Sequence, residues 1–167
     1  MLFPYFSFSK SLCEKDEIDY FSCETINKKI VSICGNIDDM NINNDNWIQY
    51  RFGLPKKVEF YFPENRKNSF KYFEGNSFNK YNVIDLRFIN NNTAYSVSLS
   101  KSYNGNDAIK RNKASAYISI KTKESKRKTI KCKSIDSEKY YSIFYDINIK
   151  LRNINGDTDI FYKNKMY

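Results

Sequence analysis

The hydrophobic positions of this chain recur every second residue. Across 82–89, Ile84, Leu86 and Phe88 fall on one side while Asp85 and Arg87 fall on the other. The same alternation sets Tyr95, Val97 and Leu99 against Ser96 and Ser98, and Val58, Phe60 and Phe62 against Lys57, Glu59 and Tyr61. It also sets Ile118 and Ile120 against Tyr117, Ser119 and Lys121. A period of two marks half-buried antiparallel strands with one wet face. Further strands are predicted at 19–23, 30–34, 47–52, 129–132, 140–145, 147–151 and 160–162.

Turn signals punctuate these runs at short intervals. Asn90-Asn91-Asn92 predicts a tight hairpin, because Asn tolerates positive φ. Glu74-Gly75-Asn76 and Asn104-Gly105-Asn106 read as longer loops, and 24–29 and 123–128 as polar turns. The short helix candidates are 69–73 and 106–113. The expected fold is all-β: a single domain over 1–167, an antiparallel β-sandwich or curled barrel of about nine or ten short strands with little helix. Residues 1–12 are expected to be a flexible or signal-remnant terminus.

Composition narrows the function classes. The 167 residues suit one domain with a real core, and 17% aromatic content excludes a disordered chain. There is no histidine, which removes Ser-His-Asp and Cys-His nucleophile activation, imidazole proton relays and histidine-bearing zinc sites. No run approaches the length of a membrane span, and no Gly-rich phosphate loop is present among five glycines. No cofactor or metal is expected. Glu59 and Asp85 are the remaining candidates for a paired-carboxylate hydrolase, set against a reading as cross-strand partners of Lys57 and Arg87. Asp38, Asp39 and Asp45 flank an Asn-rich stretch that lacks the spacing of a calcium loop. The lone Trp47 reads as a core anchor.

The four cysteines, Cys13, Cys23, Cys34 and Cys132, contain no C-x-x-C pair. The hairpin spacing favours Cys23–Cys34 and leaves Cys13–Cys132 as the second bridge, although the simplest register does not set Cys23 opposite Cys34. Four buried thiols are the alternative. Disulfides imply a periplasmic or secreted protein; a native amino terminus with reduced cysteines implies the cytoplasm. The opening Met1-Leu2-Phe3-Pro4 lacks the basic region and cleavage site of a signal peptide.

The formal charge is +9 and uneven. Glu14, Asp16, Glu17, Asp19 and Glu24 make the first part acidic, whereas Lys121, Lys123, Lys126, Arg127, Lys128, Lys131 and Lys133 face only Glu124. Part of the lysine content matches the Asn-, Lys- and Ile-rich output of an AT-rich genome. The basic hairpin, centred on Lys123, Lys126, Arg127 and Lys128, is the candidate interaction surface. Tyr50 and Arg51 are added as partner-binding candidates, Arg51 otherwise lying beside an aromatic ring or pairing with a carboxylate such as Glu59.

The runs Phe21-Ser22-Cys23, Lys29-Ile30-Val31-Ser32-Ile33-Cys34, Gln49-Tyr50-Arg51-Phe52-Gly53 and Val58-Glu59-Phe60-Tyr61-Phe62-Pro63 resemble those of a group of small exported bacterial proteins. The resemblance extends to Thr93-Ala94-Tyr95-Ser96-Val97 and covers roughly the first 100 residues. It implies an exported β protein with a cysteine-bearing hairpin, and small proteins of this kind are sometimes encoded beside secreted toxins as immunity partners. The expectation is therefore a non-enzymatic protein-binding module, an immunity protein or toxin inhibitor whose partner is a cognate toxin or another protein, an acidic one being an option that suits the basic hairpin. The alternative is a basic module that binds nucleic acid or an anionic envelope polymer.

Overall fold

A computed structural model of the chain describes residues 11–37, 43, 45–78, 83–102 and 113–155. The strands are β1 (Ile18–Thr25), β2 (Ile30–Gly35), β3 (Ile48–Leu54), β4 (Lys57–Phe62), β5 (Phe73–Phe78), β6 (Val83–Asn90), β7 (Thr93–Ser102), β8 (Lys113–Thr122) and β9 (Lys128–Ser134). Among the described residues one helix follows, α1 (Ser137–Asn155), and a 3₁₀ turn over Ser69–Tyr72 precedes β5. All nine strands join one antiparallel sheet in the order β4-β3-β2-β1-β9-β8-β7-β6-β5. The predicted all-β antiparallel class is what the chain adopts. The Asn90 hairpin turns through Asn91 and Asn92 at φ 46° and 60°, as the asparagine run predicts.

The sheet is two meanders joined at a narrow seam. Strands β1–β4 and β5–β9 meet through β1 and β9, where the register pairs Glu24 with Ser134 and Thr25 with Cys132 across a bulge. The sheet then folds over its own inner face. Phe60 stacks on Tyr95 at 5.7 Å and Phe62 on Phe88 at 4.8 Å, bringing the β4 side against β6 and β7. Tyr50 lies within this stack, 5.1 Å from Phe88. Such aromatic pairs add to plain area burial.

Helix α1 packs on the inner face against β1, β5, β6 and β7. Tyr140, Phe144, Ile147 and Leu151 are all buried, a 3.6-residue stripe packed on Phe21 among others. Asp136 starts the helix by accepting a bond from the Lys139 amide at 3.0 Å. The two strands expected at 140–145 and 147–151 are thus one helix. Aromatic and β-branched residues raise strand propensity, but burial of this stripe decides the outcome. A second correction concerns Glu74-Gly75-Asn76, expected as a loop and found inside β5. Gly75 sits there because the helix backbone crosses it: a Cβ would lie 2.1 Å from the Asn148 carbonyl oxygen. The expected helix at 106–113 and strand at 160–162 lie outside the described residues, except for Lys113, which begins β8.

The disulfide pairing also differs from expectation. The bonds are Cys13–Cys34 and Cys23–Cys132, not Cys23–Cys34 and Cys13–Cys132. In the β1–β2 register Cys23 faces Val31 while Cys34 faces Asp19. Val31 and Cys34 are an odd number of residues apart, so the two cysteines project from opposite faces of the sheet. Cys23 on the inner face meets Cys132 across the seam, and Cys34 on the outer face meets Cys13 on the segment that overlies it.

Candidate functional site

The β8–β9 hairpin presents the basic cluster. Its strands pair from Tyr117 with Lys131 to Ile120 with Lys128, and the turn between them is stiffened by Thr122 and Ser125. The Ser125 amide donates to Thr122 Oγ1 at 3.1 Å, and the Thr122 amide to Ser125 Oγ at 3.3 Å, an ST-type turn. Lys123, Lys126, Arg127 and Lys128 are exposed, and among the described residues none has an ion-pair partner. Because β9 is tied to β1 by Cys23–Cys132, this positive tip sits on a covalently anchored strand.

A polar hollow opens at the base of the same hairpin, on the outer face of β6, β7 and β8. Register places Asp85 beside Ser98 and Ser98 beside Tyr117; the next row is Arg87, Ser96 and Ser119; Ala94 and Lys121 follow. The short side chains in the middle leave a cavity of about 100 Å³, with Tyr117, Arg87, Lys121 and Arg127 standing around it. Asp85 pairs with Arg87 at 3.2 Å. The alternation read from sequence put these residues on the polar face, but only the strand order brings them together.

Tyr50 and Arg51, expected at a partner surface, are inside the protein at 2% and 3% exposure. Burial first, and then neighbouring Tyr95, push the Tyr50 phenol well above its ordinary range. Arg51 pairs with Glu17, not with Glu59. Its Nη1 and Nη2 donate to the two Glu17 oxygens at 2.6 and 2.8 Å, Nη1 also to the Leu12 carbonyl at 2.8 Å, and Nε to Gln49 Oε1 at 2.9 Å. With Cys13–Cys34 and the Leu12 amide bonded to Ser32 Oγ, this clasp holds 11–17 over the outer face of β1–β3. Consequently β2 is buried on both faces. Burial pushes the Glu17 carboxyl up, but the Arg51 hydrogen bond, the Glu14 amide and the charges of Arg51 and Arg66 outweigh it and hold it below its ordinary 4.5. Arg66 also lies over the half-buried Trp47 ring, 4.5 Å from its centroid.

The two carboxylates weighed as a catalytic pair have separate cations. Glu59 pairs with Lys29 at the β4 edge, and Asp85 with Arg87 on β6. One grouping of metal-type donors occurs among the described residues, Cys13, Glu17 and Cys34, and its two sulfurs are joined to each other. The acidic stretch at 38–42 lies outside the described residues. No protein-family model, curated protein or solved structure matches the chain.

Proposed function

We propose that this chain is a non-enzymatic protein-binding module that neutralises a secreted bacterial toxin, acting as its immunity protein or inhibitor. One observation supports the reading above all: the exposed cations of the β8–β9 tip lack ion-pair partners among the described residues, on a strand fixed by a disulfide. A rigid charged protrusion loses little conformational freedom on docking and speeds encounter with an acidic surface. Lys123, Lys126, Arg127 and Lys128 carry the contact in this reading, and the curled sheet serves as the scaffold. Two formed disulfides favour an oxidising compartment, so we place the protein in the periplasm or outside the cell. Among the described residues no helix is long and apolar enough to cross a membrane.

The test uses the protein encoded by the adjacent gene, co-expressed with this chain. The expected result is a stable complex that protects cells from that protein. Changing Lys123, Lys126, Arg127 and Lys128 together to Gln should lower the association rate at least about tenfold at low salt. Absence of both complex and protection overturns the proposal. Binding to nucleic acid or an anionic polymer in its place, collapsing with salt, would favour the basic-module alternative.

A further inference from the structure

The hollow at the hairpin base is lined by an ion pair whose buried atoms lack full hydrogen bonding among the described residues. Asp85 is 7% exposed and its Oδ2 accepts from Arg87 Nη2 at 3.2 Å, while Asp85 Oδ1 and Arg87 Nε are both buried with no hydrogen-bond partner among the described residues. Native proteins rarely leave a buried carboxylate oxygen bare, because its lost hydration is not returned. Asp85 and Arg87 both line the hollow, so an occupant that both donates and accepts there would supply the missing partners. Lys121 and Arg127 line the same space, and among the described residues neither has an ion-pair partner. Ser96, Ser98 and Ser119 form its floor with hydroxyls able to donate or accept.

These groups set opposing demands on an occupant. It must bring acidic oxygens to Lys121 and Arg127 and, within the same small volume, an O–H to Asp85. The cavity, about 100 Å³, has room for several waters or one tetrahedral oxyanion. We propose that the hollow binds phosphate in a proton-bearing form, free or as a monoester, with Asp85 Oδ1 accepting the phosphate O–H and Lys121 and Arg127 holding the remaining oxygens. Sulfate at neutral pH and phosphate diesters have no such proton. Asp85 therefore repels them, and a buried carboxylate becomes a selectivity device. The site shares Arg127 with the toxin-binding surface but does not rest on that reading and survives its failure.

Calorimetric titration at about pH 6, where a phosphate monoester still carries its proton in part, tests this at constant ionic strength. The probes are inorganic phosphate, methyl phosphate, dimethyl phosphate and sulfate. Saturable one-to-one binding of phosphate, with sulfate and dimethyl phosphate at least about tenfold weaker, supports the site. Methyl phosphate binding as tightly as phosphate assigns a monoester ligand; much weaker binding assigns the free ion. Asp85→Asn should raise sulfate affinity toward that of phosphate, whereas Lys121→Gln should weaken both and preserve their ratio. Equal affinity of the native protein for sulfate and phosphate overturns the proposal, as does the lack of saturable phosphate binding, which would leave water as the occupant. If Asp85→Asn does not fold, the native ratio and Lys121→Gln still decide.

Discussion

The buried Arg51–Glu17 pair should be a large and acid-sensitive contributor to stability. Glu17→Gln keeps the side-chain shape, removes the charge and turns one of two acceptors into a donor aimed at a guanidinium. Arg51 is 3% exposed and makes two charge-assisted bonds to Glu17, each worth about 1.5–3 kcal/mol. The result should match the cost of stranding a buried charge, about 3–5 kcal/mol, a large share of the roughly 5–15 kcal/mol a domain possesses. Urea unfolding of the oxidised protein, followed by circular dichroism, measures it. A cycle with Arg51→Met should show the double variant well above the sum of the singles, since no charge is then left unpaired. The pH dependence carries a definite sign. Glu17 is held below its ordinary 4.5 in the folded state, so its contribution is present above that value and disappears as pH falls through the lowered one. The native protein and Glu17→Gln should converge in stability in strong acid. A cost under about 1 kcal/mol at neutral pH, or parallel acid profiles, would refute the reasoning.

The disulfides should differ in weight, because they close loops of 109 and 21 residues. Chain entropy predicts a loss of about 5 kcal/mol for Cys23→Ala with Cys132→Ala, against about 3 kcal/mol for Cys13→Ala with Cys34→Ala. The first pair should also loosen the β1–β9 seam, seen as faster amide exchange there. Gly75→Ala drives a Cβ into helix backbone and should cost about 1–3 kcal/mol, lowering Tm by roughly 2–4 °C for each. Changing Lys126, Arg127 and Lys128 to Gln should alter stability by no more than about 0.5 kcal/mol in the same urea assay, because exposed charges without partners contribute little to the fold.

Local chemistry and periodicity carried most of the β architecture. Alternation marked four of the nine described strands, short apolar runs between turn signals marked four more, and three consecutive asparagines marked the tightest hairpin. Basic residues crowded into one turn marked the exposed tip, because solvated lysines need no tertiary context to remain outside. The helix was also written locally, in the spacing of Tyr140, Phe144, Ile147 and Leu151 behind Asp136, but its β-prone residues obscured it. Other features had no local trace. A strand's period tells which residues share a face, not which strands become neighbours. Only the strand order β9-β8-β7-β6 gathers Asp85, three serines, Lys121 and Arg127 around one hollow. Likewise Arg51 reads as a surface cation until 11–17 folds across the outer face and supplies Glu17. Cysteine pairing belongs with these, since face and register, not distance along the chain, determine which sulfurs can meet. Sequence alone marked eight of the nine described strands and the charged turn; the tertiary structure decided β5, the helix and the contacts between distant segments, because those depend on sheet order and on what covers each face.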